Sequence, residues 1–367
     1  MIEQPGASRR KCFVRWSCRL AGLSLVLGAG LAHAGELSHD LGRRLAQGYI
    51  SPAMAHFQQS AESLHAGLQA WCHAPSTAGA KQINEGFKDL VGAWSGIEFL
   101  RFGPLVAANR FERINFWPDP RGMTLRQVQG LLAGPAIPDV AALAEHSVAV
   151  QGLPALEYVL YKEQGLLGSE KGPSFDAACA YATSIGANLG ALGRELAGAW
   201  GLNGDYAQKF SQPSASNPLY RNSQEIAGEA IKALSTGLQF ARDVKLLPVL
   251  GVSIEQARYK RAPFWRSGLS AFSMAATAEG MRRFYQAGGF VYGEDAWLDE
   301  ALQNEMLRIR ENFQNMQGDI EQILATPEGY RQLVLAALLI KNTKSLIDEN
   351  AAPALGVRIG FNALDGD

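Results

Sequence analysis

The sequence predicts an all-α protein: two packed antiparallel helical bundles, with a pseudo-repeat as one way of relating them. Three observations carry that expectation. Apolar residues recur at steps of three and four over long stretches, which is the period of one helix face. No stretch alternates apolar and polar residues with period two, the pattern of a half-buried strand. The 367-residue chain is 47% hydrophobic against 19% charged, enough apolar content for a real core and too much for a disordered chain.

From the N-terminus, residues 1–34 read as an export signal. Arg9, Arg10, Lys11, Arg15 and Arg19 form a positive n-region ahead of an apolar run from Leu20 to Leu31, and Ala32-His33-Ala34 supplies the small-x-small pattern of a signal-peptidase site. About 12 apolar residues are too few to span a bilayer, which takes about 20. Ser8-Arg9-Arg10 matches part of a twin-arginine signal, but Cys12 stands where that pattern has Phe. The expectation is an exported chain of the periplasm or cell envelope, with no transmembrane segment once the signal is removed. Cleavage takes away five basic residues and one acidic residue (Glu3), a net +4, so the charge moves from −1 to −5. A mildly acidic chain gives no electrostatic reason to bind nucleic acid. Cys12 and Cys18 leave with the signal. Cys72 and Cys179 remain, open to one disulfide in an oxidising compartment and too few for a cysteine-based zinc site.

The first mature helix follows Ser51-Pro52, a helix-start signal, and carries Phe57, Ala61, Leu64, Leu68 and Trp71 along one side. A second runs from about Ile83 through Phe87, Leu90, Val91 and Trp94 to Arg101. The breaker-rich stretch Gln212-Pro213-Ser214-Ala215-Ser216-Asn217-Pro218 marks residues 206–221 as a linker between bundles at 35–205 and 222–367. Late in the chain Leu298, Leu302, Met306, Ile309, Phe313, Met316, Ile320 and Ile323 keep helical spacing, which predicts one unbroken helix of about 40 Å. Thr326-Pro327 opens the next helix, bearing Tyr330, Val334, Leu338 and Lys341.

Three segments go beyond periodicity: Phe116-Trp117-Pro118-Asp119-Pro120-Arg121-Gly122 after Arg113, Gln151-Gly152-Leu153-Pro154-Ala155-Leu156-Glu157-Tyr158, and the tail Gly360-Phe361-Asn362-Ala363-Leu364-Asp365-Gly366-Asp367. In this order, behind a signal peptide, they resemble the imelysin-like family, also called the M75 peptidase family. The resemblance implies an exported helical protein of two bundle-like domains, of a kind associated with bacterial iron acquisition. Some relatives are described as metallopeptidases. Their hallmark is Gly-x-His-x-x-Glu, with His and Glu as proposed metal ligands. Here Gly152 and Glu157 match, but Pro154 stands at the His position.

A His and a Glu three residues apart on a helix share a face and can share a metal ion. Proline has no ligand atom, so Glu157 is left as a weak metal candidate. No histidine lies beyond His146, and His56 and His65 fall on opposite faces of their helix. Proline is at home in a first helical turn, so Pro154 is expected to start a helix and to place Glu157 near its N-terminus, where the dipole favours an anion. Glu157 is then either a helix-start carboxylate paired with an arginine or a pocket carboxylate. Glu98 and Arg101 continue an apolar stripe and read as a buried ion pair or as groups facing a pocket. Asp119 and Arg121 sit in a proline-fixed loop beside Trp117, either tied to backbone or at the lip of a cleft where Arg121 meets an anionic group. Arg258, Lys260, Arg261, Arg266 and Ser267, with Phe264 and Trp265 between them, suit the opposite wall or a solvated helix end. The tail acids Asp365 and Asp367 are solvated or hold a hard cation.

There is no Gly-rich phosphate loop, nucleophile elbow, haem-attachment motif or zincin motif, so no catalytic residue is assigned. The candidate binding residues are Glu98, Arg101, Asp119, Arg121, Gly152, Glu157, Arg266 and Ser267. The leading expectation is a non-enzymatic binding or assembly role in iron acquisition through an inter-helix cleft. The alternatives are a metal-dependent peptidase using Glu157 and a structural protein that docks an envelope partner. Iron, an iron-containing ligand or another divalent ion enters through the resemblance alone; the composition fixes no cofactor, and carboxylates merely suit hard cations.

Overall fold

The computed structural model describes residues 37–163, 165–168, 171–358 and 360, and among them there is helix, turn and loop but no strand. The stripe Met54, Phe57, Ala61, Leu64, Leu68 and Trp71 lies buried along α1 (Ser51–His73). The chain is already helical ahead of Ser51, through Leu41–Leu45 and a wider turn at Ala46–Ile50. In that wide turn the Ser51 N–H bonds the Ala46 carbonyl, five residues back, which accommodates Pro52, a residue unable to donate.

Helix α2 (Thr77–Ile97) starts where the Ser76 hydroxyl accepts from the Gly79 N–H at 3.0 Å, and it buries Ile83, Phe87, Leu90, Val91 and Trp94. It stops at Ile97 and does not reach Arg101. Beyond it Phe99, Leu100 and Phe102 are all buried, which one helical face cannot achieve. The chain turns tightly instead, with Arg101 N–H bonding the Phe99 carbonyl at 2.8 Å and Phe102 N–H the Leu100 carbonyl at 2.7 Å.

After the loop containing the cis Trp117–Pro118 peptide come α3 (Met123–Leu132) and α4 (Leu153–Tyr161). Pro154 sits in the first turn of α4, as its chemistry requires. Helix α5 (Pro173–Trp200) lies along α1, and the Cys72–Cys179 disulfide joins the end of α1 to α5. The 206–221 segment is folded: α6 (Asp205–Ser211) occupies its start, and Phe210 and Tyr220 pack edge-on in an aromatic group with Trp200 and Phe102. We keep the division into bundles at 35–205 and 222–367 as a proposal about folding units. The buried core runs without interruption from Leu41 to Val357.

The second half begins with α7 (Ser223–Gln239), which runs into a wide helical turn at Phe240–Leu246. Helices α8 (Ser270–Gly288) and α9 (Trp297–Gln314) follow. The single long helix expected between Leu298 and Ile323 is broken. Gly318 has a φ of +87°, and Asp319 opens α10 (Ile320–Leu324) through a reciprocal capping box with Gln322. A glycine followed by a capping aspartate outweighs the apolar period here. Thr326 caps α11 (Pro327–Leu346), as expected. α8 packs against both α2 and α9, and α11 against α9 and α7. Where α2 meets α8 the backbones nearly touch: a Cβ on Gly280 would lie 2.6 Å from the Gly96 carbonyl oxygen. No helix of the described residues is long and apolar enough to cross a membrane. The expected signal (1–34) and the acidic tail at Asp365 and Asp367 lie outside the described residues.

Candidate functional site

Gly152 lets two chain segments meet. A Cβ there would fall 2.2 Å from the Ile114 carbonyl oxygen, so only glycine fits ahead of α4. One helical turn on, Glu157 is buried, and its Oε1 accepts two hydrogen bonds from Ser267, from the N–H at 3.0 Å and from Oγ at 2.8 Å. The neighbouring Arg266 guanidinium lies over Trp265, 4.3 Å from the ring centre, and 5.3 Å from that of Tyr158. Burial pushes the Glu157 carboxyl above its ordinary range, against the Ser267 donors and the Arg266 charge. Tyr161, one turn further along α4, is raised by its own burial and then by the negative charges of Glu157 and Glu85. Of the basic-aromatic stretch, Ser267 and Arg266 face Glu157, whereas Arg258 donates to the Glu255 and Ala257 carbonyls, Arg261 to that of Pro248, and Lys260 lies by the Tyr259 and Trp265 rings.

Glu98 sits elsewhere. It caps the C-terminal end of α2 and is ion-paired with Lys245, which stands in the wide turn after α7; both side chains are buried. Thr277 of α8 donates to the same Oε1 at 2.8 Å, while Oε2 is buried with no hydrogen-bond partner among the described residues. Burial lowers the Lys245 ammonium and the Glu98 charge raises it. The expected Glu98–Arg101 pair does not form as an i,i+3 contact, because the helix has ended. The Arg101 guanidinium is instead sandwiched between Phe111 and Phe240, 4.1 and 4.0 Å from the two ring centres. Burial lowers its pKa, with Glu98 and Glu112 acting in the opposite direction.

Asp119 accepts from the backbone N–H groups of Met123 (2.8 Å) and Thr124 (2.7 Å) and so caps α3. Arg121 is exposed and has no carboxylate partner among the described residues. The structure therefore joins Glu157, Arg266 and Ser267 in one cluster and Glu98 with its neighbour Arg101 in another. Both reach α8 or the residues just before it. Ser270 and Thr277 are seven residues apart, about 10 Å of helix. Lys245, Thr277 and Phe240 complete the second cluster and escape sequence reasoning, although a lone cation in the run Val244-Lys245-Leu246-Leu247 is a readable sign of a buried charge.

The donor set does not suit a metal ion. Pro154 offers no ligand atom, Glu157 already takes two hydrogen bonds beside a guanidinium, and Glu98 is neutralised by an ammonium. No group of three or more His, Cys, Asp or Glu side chains among the described residues could hold one.

The family model described as Imelysin, Peptidase M75, matches residues 49–346, a span that includes every helix from α1 to α11 and both clusters. The chain belongs to the imelysin family. An imelysin-like protein from Psychrobacter arcticum 273-4 has a similar solved structure, 22% identical with a TM-score of 0.72, over 89% of this chain and 99% of that one. A protein from Parabacteroides distasonis ATCC 8503, described as an iron-regulated protein A precursor, is 10% identical with a TM-score of 0.67 over 86% and 96% of the two chains. At these identities the likeness is one of fold. No curated protein matches. Within this imelysin, the Gly and Glu of the hallmark serve contacts visible here: Gly152 permits a backbone crossing, and Glu157 ties α4 to the segment before α8.

Proposed function

We propose that this imelysin is an exported, non-enzymatic protein with a binding or assembly role in iron acquisition, centred on the buried junction where α4 meets the residues preceding α8. The observation that carries the reading is the commitment of Glu157 to Ser267, with proline at the neighbouring ligand position. A general base has to be free to take a proton from a metal-bound water, and this carboxylate is buried and held by two donors. The iron connection rests on family membership and on the name of the Parabacteroides distasonis relative. Export rests on residues 1–34 and is supported by the Cys72–Cys179 disulfide, which persists in an oxidising compartment.

The test is metal stoichiometry on the mature chain. Wild type and Glu157→Ala are equilibrated with ferrous, ferric or zinc ions, desalted and analysed for bound metal, with a casein-cleavage assay alongside. The expected result is less than a tenth of an ion per chain at this site, the same for both proteins, and no metal-dependent cleavage. One ion per chain that is lost in Glu157→Ala, together with metal-dependent cleavage, refutes the non-enzymatic reading. The docking alternative also has an observation in its favour: Val334, Leu335 and Leu338 of α11 are 44, 47 and 51% exposed on neighbouring turns. Co-purification of an envelope protein, lost in Leu335→Glu/Leu338→Glu, would favour that role.

A further inference from the structure

A cavity lined by neither Glu157 nor Glu98 lies between α1, α2 and α8, with a volume of about 460 Å³. That is within the roughly 300–1,000 Å³ typical of small-molecule sites. Its floor is bare because the helices present Gly92, Gly96, Ala276 and Gly280 there. Phe272 closes one end and Arg283, beside Tyr49, stands at the other. These two are eleven residues apart on α8, about 16 Å along the axis. The length and the bare floor suit an elongated small molecule.

The charges around it are unequally spent. Asp89 accepts from Ser60 and faces His56 Nε2 at 3.3 Å. Glu279 is held by Arg282 at 2.8 and 2.9 Å and by Arg310 at 3.2 Å. Arg283 has no carboxylate partner among the described residues; its guanidinium only approaches the Tyr49 ring, 6.0 Å from the centre. We propose that this groove is a binding site for an elongated organic carboxylate, whose apolar body lies on the glycine-alanine floor toward Phe272 and whose carboxylate meets Arg283. A guanidinium free of internal partners is the group best suited to take a carboxylate through two hydrogen bonds. The unbranched floor accepts a flat or chain-like body. This site is independent of the Glu157 cluster.

The probe is biphenyl-4-carboxylate, with its neutral amide as control, titrated calorimetrically into the mature protein, Arg283→Gln and Ala276→Leu. The expected result is one saturable site for the acid on wild type, with the amide at least tenfold weaker. Arg283→Gln weakens the acid about tenfold and leaves the amide unchanged. Ala276→Leu, which fills the floor, removes both. Circular dichroism checks that the variants fold. Arg283 is exposed, so that arm and the acid-amide comparison stand even if Ala276→Leu does not fold. The proposal is overturned if wild type shows no saturable binding at millimolar acid, if acid and amide bind alike, or if Arg283→Gln binds the acid as wild type does.

Discussion

Replacing Ser267 by Ala deletes the Oγ bond to Glu157 at 2.8 Å and keeps the backbone bond at 3.0 Å. A hydrogen bond to an ionised partner contributes about 1.5–3 kcal/mol, and one to a neutral partner about 0.5–1.5 kcal/mol. The loss therefore depends on whether Glu157 carries its charge. Burial raises the folded-state pKa of Glu157 above its unfolded value. Its contribution to stability is then fully present below the unfolded pKa and is lost as pH rises through the folded one. The Ser267 donors oppose that loss by favouring the anion. Without the hydroxyl, stability should fall more steeply with pH, so the penalty of Ser267→Ala should be about 1 kcal/mol where Glu157 is protonated and grow to about 2–3 kcal/mol where it is ionised. Ser267 Oγ also contacts the Phe264 carbonyl at 3.2 Å, which supplies a part independent of pH. Urea unfolding followed by far-UV circular dichroism measures both. In a Glu157→Gln background the pH-dependent part should vanish. A penalty that is constant with pH, or that keeps its full pH dependence in that background, would refute the coupling.

Other outcomes follow from the same geometry. Lys245→Met leaves Glu98 buried with only Thr277 and should cost about 3–5 kcal/mol at pH 7, while Glu98→Gln/Lys245→Met recovers most of it, as chemical denaturation can establish. Gly152→Ala places a Cβ against the Ile114 carbonyl oxygen and should cost more than about 2 kcal/mol or prevent soluble expression, whereas Gly130→Ala, with open space around it, should not. Reducing Cys72–Cys179 opens a crosslink of 107 residues in sequence separation and should lower stability by about 4–5 kcal/mol in the chain-entropy account, visible as a drop in the urea midpoint.

Helix content was legible because long stripes such as Phe57 to Trp71 and Ile83 to Trp94 have one burial solution, a single face against a core. The ends were less so. At Phe99-Leu100-Arg101-Phe102 the burial demand changes from one face to several, and at Gly318-Asp319 two capping residues interrupt a stripe that Met316 and Ile320 still satisfy. In the site, Pro154 announced both a helix start and a missing ligand, and the basic-aromatic stretch held the residue that meets Glu157. The partner of Glu98 was out of reach because Lys245 lies 147 residues away, and no spacing rule links positions on different helices.

The position of Pro154 in the first turn of α4 also separates what this stretch needs for its fold from what stands at residue 154. Neither the backbone crossing at Gly152 nor the tie between Glu157 and Ser267 uses the side chain at 154. The architecture around position 154 therefore holds through groups other than that side chain. Replacing Pro154 by His would ask whether this helix start accepts a different first-turn residue while the crossing at Gly152 and the Glu157–Ser267 tie stay in place.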